Sequence, residues 1–248
     1  MTGLRLAVVG KGGAGKSFIS ATLARSLARS GRTVALLDAD SLPGAAISLG
    51  MGPMSDPMLA EAAQETVEGW RLKRGIGPAT AIRRYSRTGP DGVRLLQYGK
   101  AGDQGLAGMW GSVHAFNMVS KRLARERVLL DWDLIADLAA GSRQTGQNRA
   151  PFANRYLVVV GPGAPSMLTA RRLVAMARSW GADVGLVGNR VEGRDLPALE
   201  SLGAPVLAVI PPDEAVAKAD AEGKAPIDID PDAPAVRAVG ELALALTT

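Results

Sequence analysis

The sequence predicts an α/β fold, a mostly parallel central sheet of about seven strands with helices on both faces. Two observations carry this expectation. Short apolar runs recur along the 248 residues, at 6–9, 33–37, 93–98, 132–137, 155–160, 184–188 and 205–210. The stretches between most of them place apolar residues at helical spacing, the alternation that strand–helix–strand units require. Right-handed crossovers would then bring the carboxyl ends of the runs to one edge of the sheet. A chain of this length suits one domain, 1–248, with an irregular basic surface excursion at about 68–114.

Composition narrows the chemistry. The chain has no cysteine, which excludes disulfides, thiolate metal sites and a cysteine nucleophile. His114 is the only histidine, and one imidazole does not make a metal site, so no transition metal is assigned. The first residues enter a strand without a signal-peptide pattern, and no apolar run nears the roughly 20 residues of a membrane helix. A cytoplasmic location without membrane insertion is expected. The net charge of +5 permits an acidic partner without demanding one.

The first run leads into Gly10-Lys11-Gly12-Gly13-Ala14-Gly15-Lys16-Ser17, which satisfies G-x-x-x-x-G-K-[ST]. Residues 18–30 follow as a helix, with Ile19, Leu23 and Leu27 on one face beside Ala24 and Ala28. The glycines let backbone N–H groups turn around an anion, and the helix start adds partial positive charge. Gly12, Gly13, Ala14, Gly15, Lys16, Ser17 and Phe18 are therefore the candidate phosphate contacts. Lys16 would reach the terminal phosphates, and the Ser17 hydroxyl would ligate Mg2+. Gly10, Gly12 and Gly15 also spell the G-x-G-x-x-G of a dinucleotide site, with Asp38 ending the next strand. Lys16-Ser17 behind the last glycine favours a triphosphate with its metal.

The second run ends in Asp38-Ala39-Asp40, where Asp38 can serve a magnesium shell and Asp40 can position an attacking water. Residues 41–56 read as a loop closed by Leu49-Gly50, and 57–67 as a short helix. Residues 71–94 carry seven Arg and Lys against Asp91 alone, a run that suits a solvated face, nucleic acid or an acidic protein. A glycine-punctuated stretch, 99–114, precedes a helix from about 115 to 129. The fourth run ends in Asp137, an acid placed to accept from magnesium-bound water, and Gly141 four residues on can offer its N–H to a γ-phosphate. Residues 142–154 read as a polar switch loop.

Pro165 opens a helix to Trp180 with Leu168, Leu173, Val174 and Ala177 facing inward. The next two runs end in Asn189-Arg190 and in Pro211-Pro212-Asp213, and both loops emerge at the same rim. Asn189 can donate and accept at once, which suits adenine, although a turn could equally satisfy it. A helix from about 233 to 246 completes the chain.

The loop K-G-G-x-G-K-S, with Lys11 as a second lysine, resembles the deviant Walker A loop of the MinD, ParA and nitrogenase iron protein class. Asp38-Ala39-Asp40 with Leu49-Gly50 resembles its switch I, Asp137 to Gly141 its switch II, and Asn189-Arg190 its base motif. Ile210 to Glu214, then Ala219-Asp220 and Glu222 to Pro226, resemble most closely the family of carbon monoxide dehydrogenase accessory ATPases, which insert nickel. That family holds metal on a C-x-C pair, which this chain lacks. The resemblance implies a P-loop NTPase fold of the SIMIBI type and a Mg-dependent ATPase switched as a homodimer by ATP. Lys11 would reach the partner subunit's nucleotide and act with Lys16 and Asp40 in catalysis, while Ser17, Asp38 and Asp137 hold the metal shell. The energy would serve a client protein, a metalloenzyme being a candidate. The alternative is a ParA- or MinD-like positioning module with non-specific DNA binding. A dinucleotide oxidoreductase and a GTPase stay open, though no N/T-K-x-D guanine motif is present.

Overall fold

The computed structural model describes residues 2–40, 44–54, 58–98, 110–140 and 150–248. Its centre is an eight-stranded sheet. In chain order the strands are β1 (Arg5–Gly10), β2 (Val34–Asp38), β5 (Arg87–Thr88), β6 (Arg94–Gln97), β7 (Asp133–Asp137), β8 (Arg155–Val160), β9 (Asp183–Asn189) and β10 (Val206–Ile210). They lie side by side as β10-β9-β8-β1-β7-β2-β6-β5. All neighbours are parallel except β5, a two-residue edge strand antiparallel to β6. Strands covered on both faces must be apolar throughout, so the inner ones stand out in the sequence as unbroken runs. A separate antiparallel hairpin pairs β3 (Ala63–Thr66) with β4 (Gly69–Leu72).

Helices cover both faces. On one side α1 (Lys16–Arg29), α2 (Ala45–Leu49), α8 (Pro226–Ile229) and α9 (Pro234–Thr247) bury Ile19, Leu23, Leu27, Leu49, Ile227, Val239 and Leu242 against Leu6, Val8 and Leu36. On the other, α3 (Pro78–Tyr85), α4 (Trp110–Leu123), α5 (Ala164–Ser179) and α6 (Leu196–Glu200) bury Ile82, Phe116, Val119, Leu173 and Leu199 against Ala7, Leu37, Leu96 and Val158. A last helix, α7 (Glu214–Glu222), buries only Ala219 and so leaves little apolar signature in the sequence.

Four local expectations are corrected. Residues 57–67 form a 3-10 turn (Met58–Ala62) and then β3, because Leu59 and Ala62 pack under α4 while the chain extends to pair with β4. The 41–56 stretch includes α2, whose Ala45, Ala46 and Leu49 are fully buried. The helix expected at 115–129 begins at Trp110 and ends at Leu123, before a turn in which Arg5 caps the Leu129 carbonyl at 2.6 Å. Leu168 points to solvent at 51 % exposure, while Leu173, Val174 and Ala177 face inward. The hairpin docks on α4 through Trp70, whose ring stacks on His114 with centroids 5.6 Å apart. Gly111 leaves the space that Trp70 fills.

The order of strands reverses around β1, because the chain passes from β1 to β2 on one side and later to β8 on the other. Ligands of open parallel sheets bind beyond the carboxyl ends of strands at such a point. The Gly-rich loop sits there.

Candidate functional site

Between β1 and α1 the loop turns on two residues in the left-handed region, Gly13 (φ 73°) and Gly15 (φ 92°). A side chain at Gly15 would be strained and would also strike the Asn189 amide, 2.1 Å from an added Cβ. No side chain caps α1. The first intrahelical bond runs from the Ile19 N–H to the Gly15 carbonyl at 3.1 Å, so the N–H groups of Lys16, Ser17 and Phe18 precede the helical ladder. An uncapped helix start with its positive partial charge is a cradle for an anion. The Phe18 ring is buried in the core beside Ala14, so Phe18 can offer a phosphate only its backbone.

Two carboxylates stand next to this cradle on adjacent strands. Asp38 and Asp137 are register partners at the carboxyl ends of β2 and β7, and both are buried. Asp38 accepts the backbone N–H groups of Asp40 (3.1 Å) and Ala45 (3.3 Å). Burial and the neighbouring Asp137 nevertheless push it well above the usual carboxylate range. Burial pushes Asp137 up to about 6, against the pull of the Ser17 and Ser20 hydroxyls and the Lys16 ammonium and with a further push from Asp40. Among the described residues, Asp137 Oδ1 is buried without a hydrogen-bond partner.

A buried carboxylate oxygen left bare is costly, and two facing carboxylates repel. A hard divalent cation with its water shell would relieve both, and the oxygen donors of Ser17, Asp38 and Asp137 suit Mg2+. Gly44 also closes on this corner, where an added Cβ would lie 3.3 Å from Ser17 Oγ.

The far wall comes from the ends of β9 and β10. Asn189 is buried and donates through Nδ2 to the Ala14 carbonyl at 2.8 Å. Arg190, at φ 57°, donates to the Gly13 carbonyl. The pair therefore braces the Gly-rich loop directly, a role the sequence alone did not suggest. The Val191 N–H bonds the Ile210 carbonyl at 3.2 Å, which sets Pro211 and Pro212 beside Asn189 and Arg190. Asp213 is engaged elsewhere. One oxygen caps α7 by accepting from Ala215 N–H, and the other accepts from Ala235 N–H of α9, both at 2.9 Å. Both Asp213 oxygens thus already accept one backbone N–H each, which fixes the carboxylate in place.

The structure brings Lys16, Ser17, Asp38, Asp137, Asn189 and Arg190 around one loop. Asp40 lies close enough to bear on both buried acids, and Lys11 is exposed at the loop's start. Gly141, expected to sense a γ-phosphate, lies outside the described residues. One residue escaped the sequence reading. Gln97 ends β6 as the register partner of Asp38, is 7 % exposed, and its Nε2 has no partner. Its signal was a polar residue closing an apolar strand at the same edge as Asp38 and Asp137.

Known proteins resemble this chain in sequence and in fold. A family model described as the CobQ/CobB/MinD/ParA nucleotide binding domain matches residues 6–227. The chain is 30 % identical to an uncharacterized ATP-binding protein of Methanocaldococcus jannaschii over 243 residues, 92 % of each chain. It is 27 % identical to the carbon monoxide dehydrogenase accessory protein CooC of Rhodospirillum rubrum over 260 residues, covering 92 % of this chain and 91 % of that one. In fold it is similar to the septum site-determining protein MinD of Pyrococcus horikoshii, solved with Mg-ADP, at TM-score 0.73 and 20 % identity over 98 % of this chain and 95 % of that one. A ParA family ATPase of Chlorobium tepidum gives TM-score 0.72 at 17 % identity over 98 % of both chains. With the family model matched from the first strand to α8, the chain belongs to the CobQ/CobB/MinD/ParA nucleotide-binding domain family.

Proposed function

We propose that this chain is a Mg-dependent ATPase whose ATP-bound form is a homodimer and whose cycle drives the maturation or remodelling of a partner protein. The observation that carries the reading is the uncapped start of α1 beside the partnerless Asp137 oxygen, an anion cradle next to a cation seat. Ser17, Asp38 and Asp137 would hold Mg2+, and the ion would supply positive charge to the β- and γ-phosphates. Lys16 draws negative charge toward the cradle. Asp40 orients water toward the γ-phosphate, and Lys11, exposed on the loop, is free to extend toward a second copy. Asn189 and Arg190 tie the base side of the site to the loop. The relationship to a carbon monoxide dehydrogenase accessory protein supports a partner-directed role. With no cysteine, such a role here runs without thiolate-held metal.

The test is molar mass by light scattering with Mg-ATP and with Mg-ADP, on wild type and on Asp40→Ala, alongside phosphate release. Mass doubling with ATP alone, sustained in Asp40→Ala, is expected. One mass in both nucleotides would remove the dimeric switch.

A second reading is a positioning ATPase that binds DNA without sequence preference, supported by the exposed cations of residues 71–94. It requires duplex binding that falls steeply with salt.

A further inference from the structure

The positive charge of this chain is concentrated in two segments that the fold brings together. Residues 73–94 and 121–127 together hold ten Lys and Arg against two acids, Asp91 and Glu126. That balance of +8 leaves −3 for the rest of a chain whose total is +5. The fold joins the two segments, because α3 packs against α4. Lys73, Arg74, Arg83, Arg84, Arg87, Lys121, Arg122, Arg125 and Arg127 are all exposed, and among the described residues none of the nine makes an ion pair. The acid within the first segment is already neutralised, since Asp91 is bonded by Arg25 (2.6 Å) and Arg29 (3.1 Å) of α1. Within these two segments cations outnumber acids ten to two, a denser single sign than an evenly mixed solvated surface carries, although exposed Glu61, Glu65, Glu68 and Asp131 border them.

The same face carries apolar surface. Val128 and Leu130 stand 57 % and 49 % exposed in the turn that continues from Arg125 and Arg127. A phosphate backbone has nothing to cover such side chains, and Tyr85, the ring beside these cations, is buried with the Arg84 guanidinium 5.4 Å from its centre, so it is not open to a base. A protein surface with carboxylates around an apolar centre satisfies both the charge and the exposed Val and Leu.

We propose that the surface formed by Arg83, Arg84 and Arg87 with Lys121, Arg122, Arg125, Arg127, Val128 and Leu130 is the docking surface for the client protein, and that the client presents an acidic patch around apolar side chains. The inference rests on the partner-directed reading above and gives that partner its chemistry. Docking here is on the sheet's flank and leaves the nucleotide site open.

The experiment uses fluorescence anisotropy with three labelled probes: a peptide of Glu and Asp interspersed with Leu, a duplex DNA of equal charge, and phosphatidylglycerol vesicles. The proteins are wild type, Arg122→Glu/Arg125→Glu and Val128→Ser/Leu130→Ser, and Mg-ATP affinity is measured on each. The peptide should bind most tightly. Charge reversal should weaken it by about tenfold, and the serine pair by about threefold or more, with Mg-ATP affinity unchanged. Failure of peptide binding, a duplex or vesicle bound more tightly than the peptide, or sensitivity to charge but not to Val128 and Leu130 would each overturn the proposal. Unchanged Mg-ATP binding in those cases would leave the ATPase reading standing.

Discussion

Replacing Asp137 by Asn should stabilise the metal-free protein while abolishing its use of Mg-ATP. The carboxyl titrates near 6 in the folded chain against 3.8 for the free group. Two units at about 1.4 kcal/mol each make roughly 3 kcal/mol. The sign follows from linkage. The folded form binds this proton more tightly, so the group's contribution is fully favourable below pH 3.8, is lost as pH rises through about 6, and stays lost above. Asn keeps the size and removes the charge. At neutral pH the variant should gain about 3 kcal/mol less whatever Lys16 loses with its counter-charge, a rise in Tm of roughly 6–12 °C for a chain of this length. The gain should shrink toward zero near pH 4. Urea unfolding followed by tryptophan fluorescence, without Mg2+ or nucleotide, across that range measures it. An Asn variant less stable than wild type at neutral pH, or a gain that ignores pH, would refute the idea that this acid is held ionised against its surroundings. In the wild type, Mg2+ should restore the lost stability at neutral pH and do little near pH 4.

Other perturbations are equally definite. Gly15→Ala combines a positive φ with a clash on the Asn189 amide, so it should cost about 2 kcal/mol and remove ATP binding, read by thermal unfolding and calorimetry. Arg25 is buried and bonds Asp91, Asp228 (2.7 Å) and the Leu49 carbonyl (3.3 Å); Arg25→Ala should cost about 3 kcal/mol in urea unfolding with nucleotide contacts intact. Burial pushes Asp91 up, but Arg25 and Arg29 outweigh it and hold the acid below its usual value. Its contribution should therefore be present above the unfolded value of 3.8 and vanish as pH falls below it, an acid-side loss that Arg25→Ala flattens. Asp213→Ala should destabilise by about 1–2 kcal/mol, because two helix starts lose one cap, and leave base preference unchanged in competition between ATP and GTP.

Much of this architecture is visible in the chain because the physics is local. β1, β7 and β8 are apolar inside their charged end residues, since helices cover both faces, and the phosphate loop needs glycines at fixed spacing. Asp38 and Asp137 stand out because an acid closing such a run has no reason to be there on packing grounds. The 58–72 region did not read correctly because its hairpin is defined by a partner far away in sequence, α4, through Trp70, His114 and Gly111. Asn189 read as a base contact or as an amide satisfied by its own turn, whereas its bond to Ala14 spans 175 residues, a separation that no local pattern encodes. Asp213 carried a legible cap signal in Pro-Pro-Asp-Glu, but its second bond, to Ala235, depends on how α9 lies.

The carboxylates of Asp38 and Asp213 anchor opposite sides of the site in different ways. On the base side, Asp213 ties two helix starts together, one through each oxygen. On the opposite side, the oxygens of Asp38 that tether Asp40 and Ala45 are the same ones a metal's waters would claim. Arrival or departure of the cation thus trades against those two backbone tethers. A change in the cation would therefore be felt first on the α2 side of the site.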